Sequence, residues 1–301
     1  MNFRDPREFF ALDRRAIARA LDRASDGYDA AAALQERVRN ELVTRLDQLR
    51  IMPGAVLDLG AGTGHGARAL KQRFPRSMVV AADIAPGMLE RARRQSRWLR
   101  RFARLRADAY ALPFRDGAFD LVFSNLMLQW CDDLDAVFAE IARVLRPGGL
   151  LLFSTFGPGT LAELRASWDV SGDTSNHVNH FFDAHALGSA LMHAGLGEPV
   201  LDVDRIVVGY PDAMTLMREL KAIGAHNVTR GRARGLTGRA RLAAMTGAYE
   251  SLRRDGLLPA TWEVIHASAW GVERRESGNT SDGLPREALI SPSAIRRRGQ
   301  S

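Results

Sequence analysis

The chain has 301 residues, 46% of them hydrophobic, which is enough for a packed core in one large domain or two small ones. Its formal net charge of +7 at pH 7 favours an acidic partner, although a basic composition without specific meaning is an equal alternative. The single cysteine, Cys131, excludes an internal disulfide and favours a cytoplasmic location. We expect no secretory signal, because residues 1–21 contain no long apolar core. We expect no membrane span, because no apolar run reaches about 18 residues.

The N-terminal part of the chain predicts two helices. Asp5 and Pro6 are typical of a helix start, so a first helix is expected from there to about Arg23. A second helix is expected after Asp29, which could be its N-cap. The apolar residues of this second helix recur with a helical period, at Leu34, Val38, Leu42, Leu46 and Leu49. We expect residues 1–50 to form an N-terminal helical lid segment.

Strands and helices then alternate along the chain. Strands are expected at about 55–60, 78–82, 103–107, 119–124 and 150–155. Helices are expected at about 64–74, from Pro86 onward, and at about 133–145. Each strand is nearly all apolar, which is typical of a parallel sheet covered by helices on both faces. The sequence therefore predicts the α/β class.

The alternation stops after Thr155. A polar segment without a predicted element, 157–180, precedes a helix expected at about 183–194. Two further strands, about 201–208 and 261–269, flank helices expected near 212–223 and 239–254. We expect one domain over 51–271 with a helical insertion at about 211–255, and a disordered tail over 272–301.

A glycine-rich loop follows the first predicted strand. Its glycines are Gly60, Gly62, Gly64 and Gly66. Glycine permits a positive φ and lets a ligand approach the backbone, and such a loop is where open α/β sheets bind nucleotides and related cofactors. The dinucleotide pattern Gly-x-Gly-x-x-Gly fits only in a relaxed form, because position 65 is His65 when the pattern starts at Gly60. Asp83, at the end of the second strand, suits the ribose of NAD and of other adenosyl cofactors alike.

Four elements in order favour one of these cofactors. They are Asp58-x-Gly60-x-Gly62-x-Gly64, then Asp83, then Asp108-Ala109, then Leu145-Arg146-Pro147-Gly148-Gly149. This series resembles the S-adenosylmethionine-dependent methyltransferases. The resemblance implies a Rossmann-like methyltransferase fold, with a seven-stranded mostly parallel sheet and helices on both faces. It also implies S-adenosyl-L-methionine as cofactor, bound by Asp58, Gly60, Gly62, Gly64, Asp83, Ile84, Met88, Asp108, Ala109 and Asn125.

Later stretches resemble a narrower family. They include 28–35, 124–130, 155–164, 177–181, 216–227, 234–237 and 258–264. Together, over roughly residues 15 to 271, they resemble the malonyl-acyl-carrier-protein O-methyltransferases of biotin synthesis. Membership implies methylation of the free carboxylate of a malonyl thioester, carried by acyl carrier protein or coenzyme A, by in-line attack on the sulfonium methyl. The resemblance implies no role for the N-terminal extension or for the tail.

The chemistry of that reaction suggests roles for further residues. A malonyl carboxylate is ionised at neutral pH, so alignment and exclusion of water are needed rather than a general base. We expect Tyr28 to close over the methyl-transfer site and orient the carboxylate, and Asn125 to lie beside the transferred methyl group. The expected substrate-binding residues are Gln129 near the methyl group, Trp130 and Phe156 as an apolar patch, and Arg165 or Lys221 as a cation for the carboxylate.

Three histidines, His177, His180 and His226, fit no zinc pattern, so we expect no metal. Two arginine clusters could steer an acidic carrier protein or could be solvated helix faces. The first comprises Arg91, Arg93, Arg94, Arg97, Arg100, Arg101, Arg104 and Arg106, and the second Arg230, Arg232, Arg234, Arg239 and Arg241.

Two alternatives are left open. A methyltransferase of another small-molecule acid or of a quinone precursor would share the pattern of the first 155 residues. A nucleic-acid-binding protein would account for the arginines, but no aromatic stacking set accompanies them, so we expect no nucleic-acid partner.

Overall fold

The structure is a computed structural model of the chain, and it describes residues 12–96, 98, 100–170, 179–225 and 238–273. Its strands are β1 (Ala55–Leu59), β2 (Met78–Asp83), β3 (Ala103–Arg106), β4 (Phe119–Asn125), β5 (Leu145–Phe156), β6 (Leu196–Tyr210) and β7 (Leu258–Gly271). Its helices are α1 (Arg14–Ala24), α2 (Tyr28–Ala31), α3 (Ala33–Arg45), α4 (His65–Arg73), α5 (Pro86–Gln95), α6 (Leu134–Val144), α7 (Ala162–Val170), α8 (Ala184–His193), α9 (Ala213–Ala222) and α10 (Arg239–Glu250).

All seven strands form one sheet in the order β3-β2-β1-β4-β5-β7-β6. Strands β1 to β5 run parallel, whereas β7 is antiparallel to both of its neighbours. Helices cover both faces, because alternate residues of a strand point to opposite sides. Leu57 packs in one buried cluster with residues of α6, and Val56 packs in another with residues of α4. The predicted seven-stranded, mostly parallel fold is confirmed.

The N-terminal helices differ from the prediction. Asp5 and Pro6 lie outside the described residues. The prediction of one continuous helix from there to Arg23 is wrong, because Leu12 and Asp13 are not helical. Helix α1 begins at Arg14, and the carboxylate of Asp13 caps it by accepting from the N–H of Ala16 at 3.0 Å. Helix α2 begins before Asp29, so Asp29 lies in its first turn rather than at its N-cap.

The polar segment 157–180, in which no element was predicted, contains a helix. Helix α7 lies within 157–180, and its buried Leu164 and Trp168 are four residues apart, which is a helical spacing. The carboxylate of Glu163 accepts from the N–H of Thr261 at 3.0 Å and from its hydroxyl, so the helix is tied to β7. The two late strands are longer than predicted, and α9 and α10 lie between them in the chain.

Most of the predicted tail, 274–301, lies outside the described residues. Within the part of the chain that the structure describes, no helix combines the length and the apolar character needed to cross a membrane.

Candidate active site

Three adjoining cavities lie at the carboxyl ends of β1, β2 and β4. Strand order reverses at β1, and a reversal of this kind is where open α/β sheets bind their ligands. The β2–β3 cavity is lined by residues that include Asp83, Ile84, Met88, Asp108 and Ala109. The loop cavity is lined by residues that include Asp29, Arg39, Asp58, Gly60 and Gly62. The apolar cavity is lined by residues that include Gln129, Trp130, Phe156, Phe181 and Trp262.

Tyr28 lines all three cavities, and Asn125 lines the first two. Burial, with the negative charges of Asp83 and Asp29, raises the pKa of the Tyr28 phenol well above its ordinary value. The phenol therefore stays protonated at neutral pH and can donate a hydrogen bond. Its position at the meeting point of the cavities suits a group that orients a substrate.

Two glycines open the loop toward the cavities. Gly60 and Gly62 have φ values of 74° and 52°, in the left-handed region that favours glycine. A Cβ on Gly60 would lie 2.3 Å from Cγ of Met127, whereas a Cβ on Gly62 would meet no heavy atom within 4 Å. Gly62 therefore borders open space in the two cavities that it lines.

Gly64 makes a packing contact that the motif does not predict. It lines none of the three cavities among the described residues, and its φ is 85°. A Cβ there would lie 2.7 Å from Cβ and 2.9 Å from Cα of Ala92 in α5. This glycine lets the start of α4 pack against α5, and its contact with the cofactor stays a prediction.

Asp83 fixes the glycine loop. One carboxylate oxygen accepts from the N–H of Gly62 and the other from the N–H of Ala85, both at 2.8 Å. Burial raises the pKa of Asp83, and these backbone N–H groups oppose that rise. Each carboxylate oxygen can accept more than one hydrogen bond, so the hydroxyls of a ribose can still donate to it.

Asp58 presents an unpartnered carboxylate oxygen to the loop cavity. The residue is 2% exposed, and its Oδ2 has no hydrogen-bond partner among the described residues. Burial raises its pKa to about 7, against the N–H of Ala67, which lowers it. A Cβ on Gly66 would lie 2.7 Å from that oxygen, so glycine is needed here as well. An unpartnered buried acid fits a ligand that brings a cationic group.

The lining of the β2–β3 cavity includes an ion pair that the sequence did not indicate. Nη1 of Arg14 donates to Oδ2 of Asp108 at 3.0 Å, and its guanidinium lies 4.7 Å from the ring centroid of Tyr110. Ile17 and Leu21, also on α1, line the same cavity. No local pattern indicates this contact, because Arg14 and Asp108 are 94 residues apart.

Asn125 is held on two sides at the end of β4. Its Nδ2 donates to the carbonyl of Gln35 at 3.2 Å, and its Oδ1 accepts from Oγ of Ser154 at 3.0 Å. The amide thereby connects α3 to β5 beside the β2–β3 cavity and the loop cavity. We call these two together the cofactor cavities, after the cofactor that the sequence predicts. These two hydrogen bonds fix the orientation of the Asn125 side chain at the edge of the cavities.

The helix that carries Tyr28 is tied to the glycine loop. Asp29 accepts from Oγ1 of Thr63 at 2.6 Å, and its other oxygen lies 3.2 Å from Nε2 of His65. His65, which weakened the dinucleotide pattern, thus contributes to this contact. We call Asp29, Thr63 and His65 the latch.

The apolar cavity brings together residues from separate stretches of the chain. The Phe156 ring centroid lies 5.8 Å from that of Phe181 and 5.2 Å from that of Trp262. Gln129 is buried, and its Nε2 donates to the carbonyl of Leu126 at 2.5 Å. The roles of Phe181 and Trp262 were missed, although both lie in stretches that carried the family resemblance.

The two predicted cations are not in these cavities. Arg165 donates to the carbonyls of Pro158 at 3.0 Å and Thr160 at 3.2 Å, so it holds the turn before α7. Leu220 and Ile223 line the apolar cavity. Lys221 lies on a different face of α9 and is exposed. The structure does not bring either cation to the place where a substrate carboxylate would lie.

One trio of described residues has the composition of a metal site. Side-chain donor atoms of Glu41, Asp204 and His266 lie within 4.8 Å of one another. The two acids are also near arginines, with Arg37 3.1 Å from Glu41 and Arg45 3.7 Å from Asp204. His177 and His226 lie outside the described residues. The absence of a metal from the reaction stays a prediction.

A family model described as "Methyltransferase domain" matches residues 57–153. The chain is 48% identical over 281 residues to the malonyl-[acyl-carrier protein] O-methyltransferase of Methylovorus sp. strain MP688, covering 91% of this chain and 94% of that protein. It is 45% identical over 267 residues to the protein of the same name from Gallionella capsiferriformans strain ES-2, covering 87% and 92%. The chain belongs to the malonyl-[acyl-carrier protein] O-methyltransferase family.

A solved structure supports the fold. The YcgJ protein of Bacillus subtilis aligns with a TM-score of 0.56 and 18% identity, over 78% of this chain and 99% of that one. As a family member, this chain is an S-adenosylmethionine-dependent O-methyltransferase. The glycine cradle, the unpartnered oxygen of Asp58 and the acid at the end of β2 fit that cofactor.

Proposed function

We propose that this enzyme methylates the free carboxylate of a malonyl thioester carried by acyl carrier protein, giving the methyl ester at an early step of biotin (pimeloyl) synthesis. The relatives that cover nine-tenths of the chain carry this activity in their names. The single structural observation that supports it is the meeting of an apolar cavity with the two cofactor cavities at Tyr28.

When bound, S-adenosylmethionine would supply an electrophilic methyl group on a sulfonium sulfur, which would leave with the bonding electron pair on attack by a carboxylate oxygen. Asp58 would meet the cofactor's ammonium group in the loop cavity, and Asp83 its ribose hydroxyls. Ile84, Met88 and Ala109 would flank the adenine in the β2–β3 cavity. The carboxylate of Asp108 already accepts from Nη1 of Arg14 and from the backbone N–H of Tyr110. Each of its oxygens can accept a further hydrogen bond, so Asp108 would also accept from the adenine amine.

No residue has to remove a proton, because the carboxylate of a malonyl group is ionised at neutral pH. Tyr28 donates from its neutral phenol to the substrate carboxylate and fixes its direction. Asn125, held by Gln35 and Ser154, fixes the edge of the site where the cavities join. Alignment of this kind is the main contribution that an enzyme can make to such a transfer.

The walls of the apolar cavity exclude water from the carboxylate. None of the described residues that line it is charged. This suits the reaction, since the negative charge of the carboxylate disappears when the ester forms. A cation that bound the ground state strongly would raise the barrier. We propose that residues 12–48 act as the lid, because α1, α2 and α3 supply Leu21, Tyr28 and Gln35 to this cavity.

The second arginine cluster is the better candidate for docking the acidic carrier protein. Arg239 and Arg241 lie at the start of α10, which packs against α7 and α9 beside the apolar cavity. Arg230, Arg232 and Arg234 lie outside the described residues. In the first cluster, Arg91 pairs with Asp26 and Arg93 with Glu90, near the opposite edge of the sheet.

The test is transfer of label from methyl-labelled S-adenosylmethionine to malonyl- and acetyl-acyl carrier protein. We expect label on the malonyl form only, because the acetyl form has no free carboxylate. Label on both or on neither contradicts the proposal. A small-molecule acid or a quinone precursor as the better substrate would support the alternative methyltransferase, and a salt-sensitive gel shift would indicate nucleic-acid binding.

Two variants separate catalysis from docking. Tyr28→Phe should lower kcat, whereas Tyr210→Phe, which loses a phenol bonded to Glu219, should retain it. Charge reversal at Arg239 and Arg241 should raise KM for the carrier-bound substrate and leave cofactor affinity unchanged. An equal loss of cofactor affinity would show misfolding instead.

A further inference from the structure

Four polar atoms in the lining of the apolar cavity are buried and have no hydrogen-bond partner among the residues that the structure describes. They are Oε1 of Gln35, Oε1 of Gln129, Oδ1 of Asn179 and Nε1 of Trp262. Buried polar groups in folded proteins nearly always have a hydrogen-bond partner. Unpartnered atoms that share one cavity therefore indicate that a polar ligand completes them.

Trp262 identifies the chemistry of that ligand. A carboxamide can present either its oxygen or its NH₂ group after rotation, but an indole N–H can only donate. The Trp262 side chain is 3% exposed, and its N–H meets no acceptor among the described residues. The ligand atom that faces it must be an acceptor.

The malonyl thioester offers two acceptor groups, the carboxylate and the thioester carbonyl. The carboxylate must lie where the apolar cavity meets the cofactor cavities, beside Tyr28, because the methyl group arrives from there. Trp262 lines only the apolar cavity among the three. The thioester carbonyl, two bonds farther along the acyl group, is therefore the acceptor on its side.

We propose that the indole N–H of Trp262 donates a hydrogen bond to the thioester carbonyl of the substrate, and so makes the enzyme prefer a carboxylate that lies two bonds from such a carbonyl. This inference rests on the proposed function. The neighbouring rings of Phe156 and Phe181 exclude water from that bond, which strengthens it. A carboxylic acid with no hydrogen-bond acceptor at this position, such as a thioether in which CH₂ replaces the carbonyl, would leave the indole unpartnered.

The test removes each partner of the bond in turn. Trp262→Phe keeps an aromatic ring and removes the N–H. The substrate partner is removed in a 2-carboxyethyl thioether on acyl carrier protein, which keeps the carboxylate and replaces the carbonyl by CH₂. With malonyl-acyl carrier protein, Trp262→Phe should lower kcat/KM about 10- to 100-fold, the effect of one buried hydrogen bond.

With the thioether, wild type and Trp262→Phe should differ by less than about twofold, because the carbonyl is already gone. Trp168→Phe is the matched control. Trp168 is buried in the same hydrophobic cluster and does not line the cavity, so its variant should match wild type on both substrates. Calorimetric binding of S-adenosylmethionine should be the same for all three proteins.

Equal losses for Trp262→Phe on both substrates would show that Trp262 acts by packing, and an unchanged kcat/KM would show no role; either result overturns the inference. If Trp262→Phe does not fold, wild type alone decides, since it must prefer the malonyl thioester to the thioether by about tenfold or more. Failure of wild type to methylate malonyl-acyl carrier protein would instead refute the proposed function, and this inference with it.

Discussion

Substitution of Gly64 by alanine separates a packing glycine from a cofactor-binding glycine. The new Cβ would lie 2.7 Å from Cβ and 2.9 Å from Cα of Ala92, which is completely buried in α5. The backbone at Gly64 also has a φ of 85°, which costs a non-glycine residue about 1–2 kcal/mol. Because overpacking a core adds about 1–3 kcal/mol, we expect Gly64→Ala to lower the free energy of unfolding by roughly 2–5 kcal/mol.

Gly62→Ala is the matched variant. Its φ of 52° carries a similar strain, but its Cβ would meet no heavy atom within 4 Å. We expect a loss of only about 1–2 kcal/mol in stability. Because Gly62 lines both cofactor cavities, its variant should bind S-adenosylmethionine at least about tenfold more weakly, which is about 1.4 kcal/mol.

Urea unfolding of the cofactor-free proteins and calorimetric titration with the cofactor measure the two quantities. Gly64→Ala should unfold at lower urea and bind the cofactor normally at temperatures where it is folded. If Gly64→Ala instead keeps its stability and loses cofactor affinity, the packing argument is refuted, and Gly64 belongs to the cofactor site as the motif predicted.

Three further predictions concern acidic residues. Burial raises the pKa of Asp58 from its ordinary 3.8 to about 7. Between these two pH values the native state keeps a proton that the unfolded chain has lost. The free energy of unfolding should therefore fall as the pH rises from about 4 to about 7, by up to about 4 kcal/mol. Asp58→Asn should flatten this fall in urea titrations at about pH 5 and pH 8, and an unchanged slope would contradict the assignment. Asp29→Asn and Thr63→Val should each lower kcat/KM about 3- to 10-fold by loosening the latch. Both substitutions remove the same hydrogen bond, so the double variant should lose no more activity than the more affected single variant. Additive losses would contradict this. Glu163→Gln should lower the free energy of unfolding by about 1–3 kcal/mol without changing kcat, because it weakens the contact of α7 with Thr261; an unchanged urea midpoint would contradict it.

The sheet and the polar residues at its carboxyl edge could be predicted because their signals are local. Apolar strands that each end in a glycine, an acid or an amide place Gly60, Asp83 and Asn125 at one edge of a parallel sheet. Strand direction alone brings these residues together, whatever the rest of the chain does.

The glycine that packs could not be told from the one that lines the cavities. The motif treats Gly62 and Gly64 alike, and only the approach of α5 distinguishes them. The position of Lys221 outside the apolar cavity has a different explanation. The spacing of Leu216, Leu220 and Ile223 already indicates which face of α9 is buried, and Lys221 lies off that face.

The apolar cavity depends on contacts between distant parts of the chain. Gln129, Phe156, Phe181 and Trp262 come from four stretches that no spacing rule connects. The sequence predicted substrate-binding roles for Gln129 and Phe156, but none for Phe181 and Trp262. The unpartnered polar atoms of Gln129 and Trp262 became visible only when the folded chain placed them around one space.

The central claim is that the methyl group is transferred to a carboxylate oxygen. The most direct measurement is the chemical stability of the label after reaction of malonyl-acyl carrier protein with methyl-labelled S-adenosylmethionine. A methyl ester releases its label as volatile methanol in mild base, and we predict that essentially all of the transferred label is released in this way. Label that stays on the acyl group or on the carrier protein after base treatment would place the methyl on carbon, nitrogen or sulfur and would contradict the account.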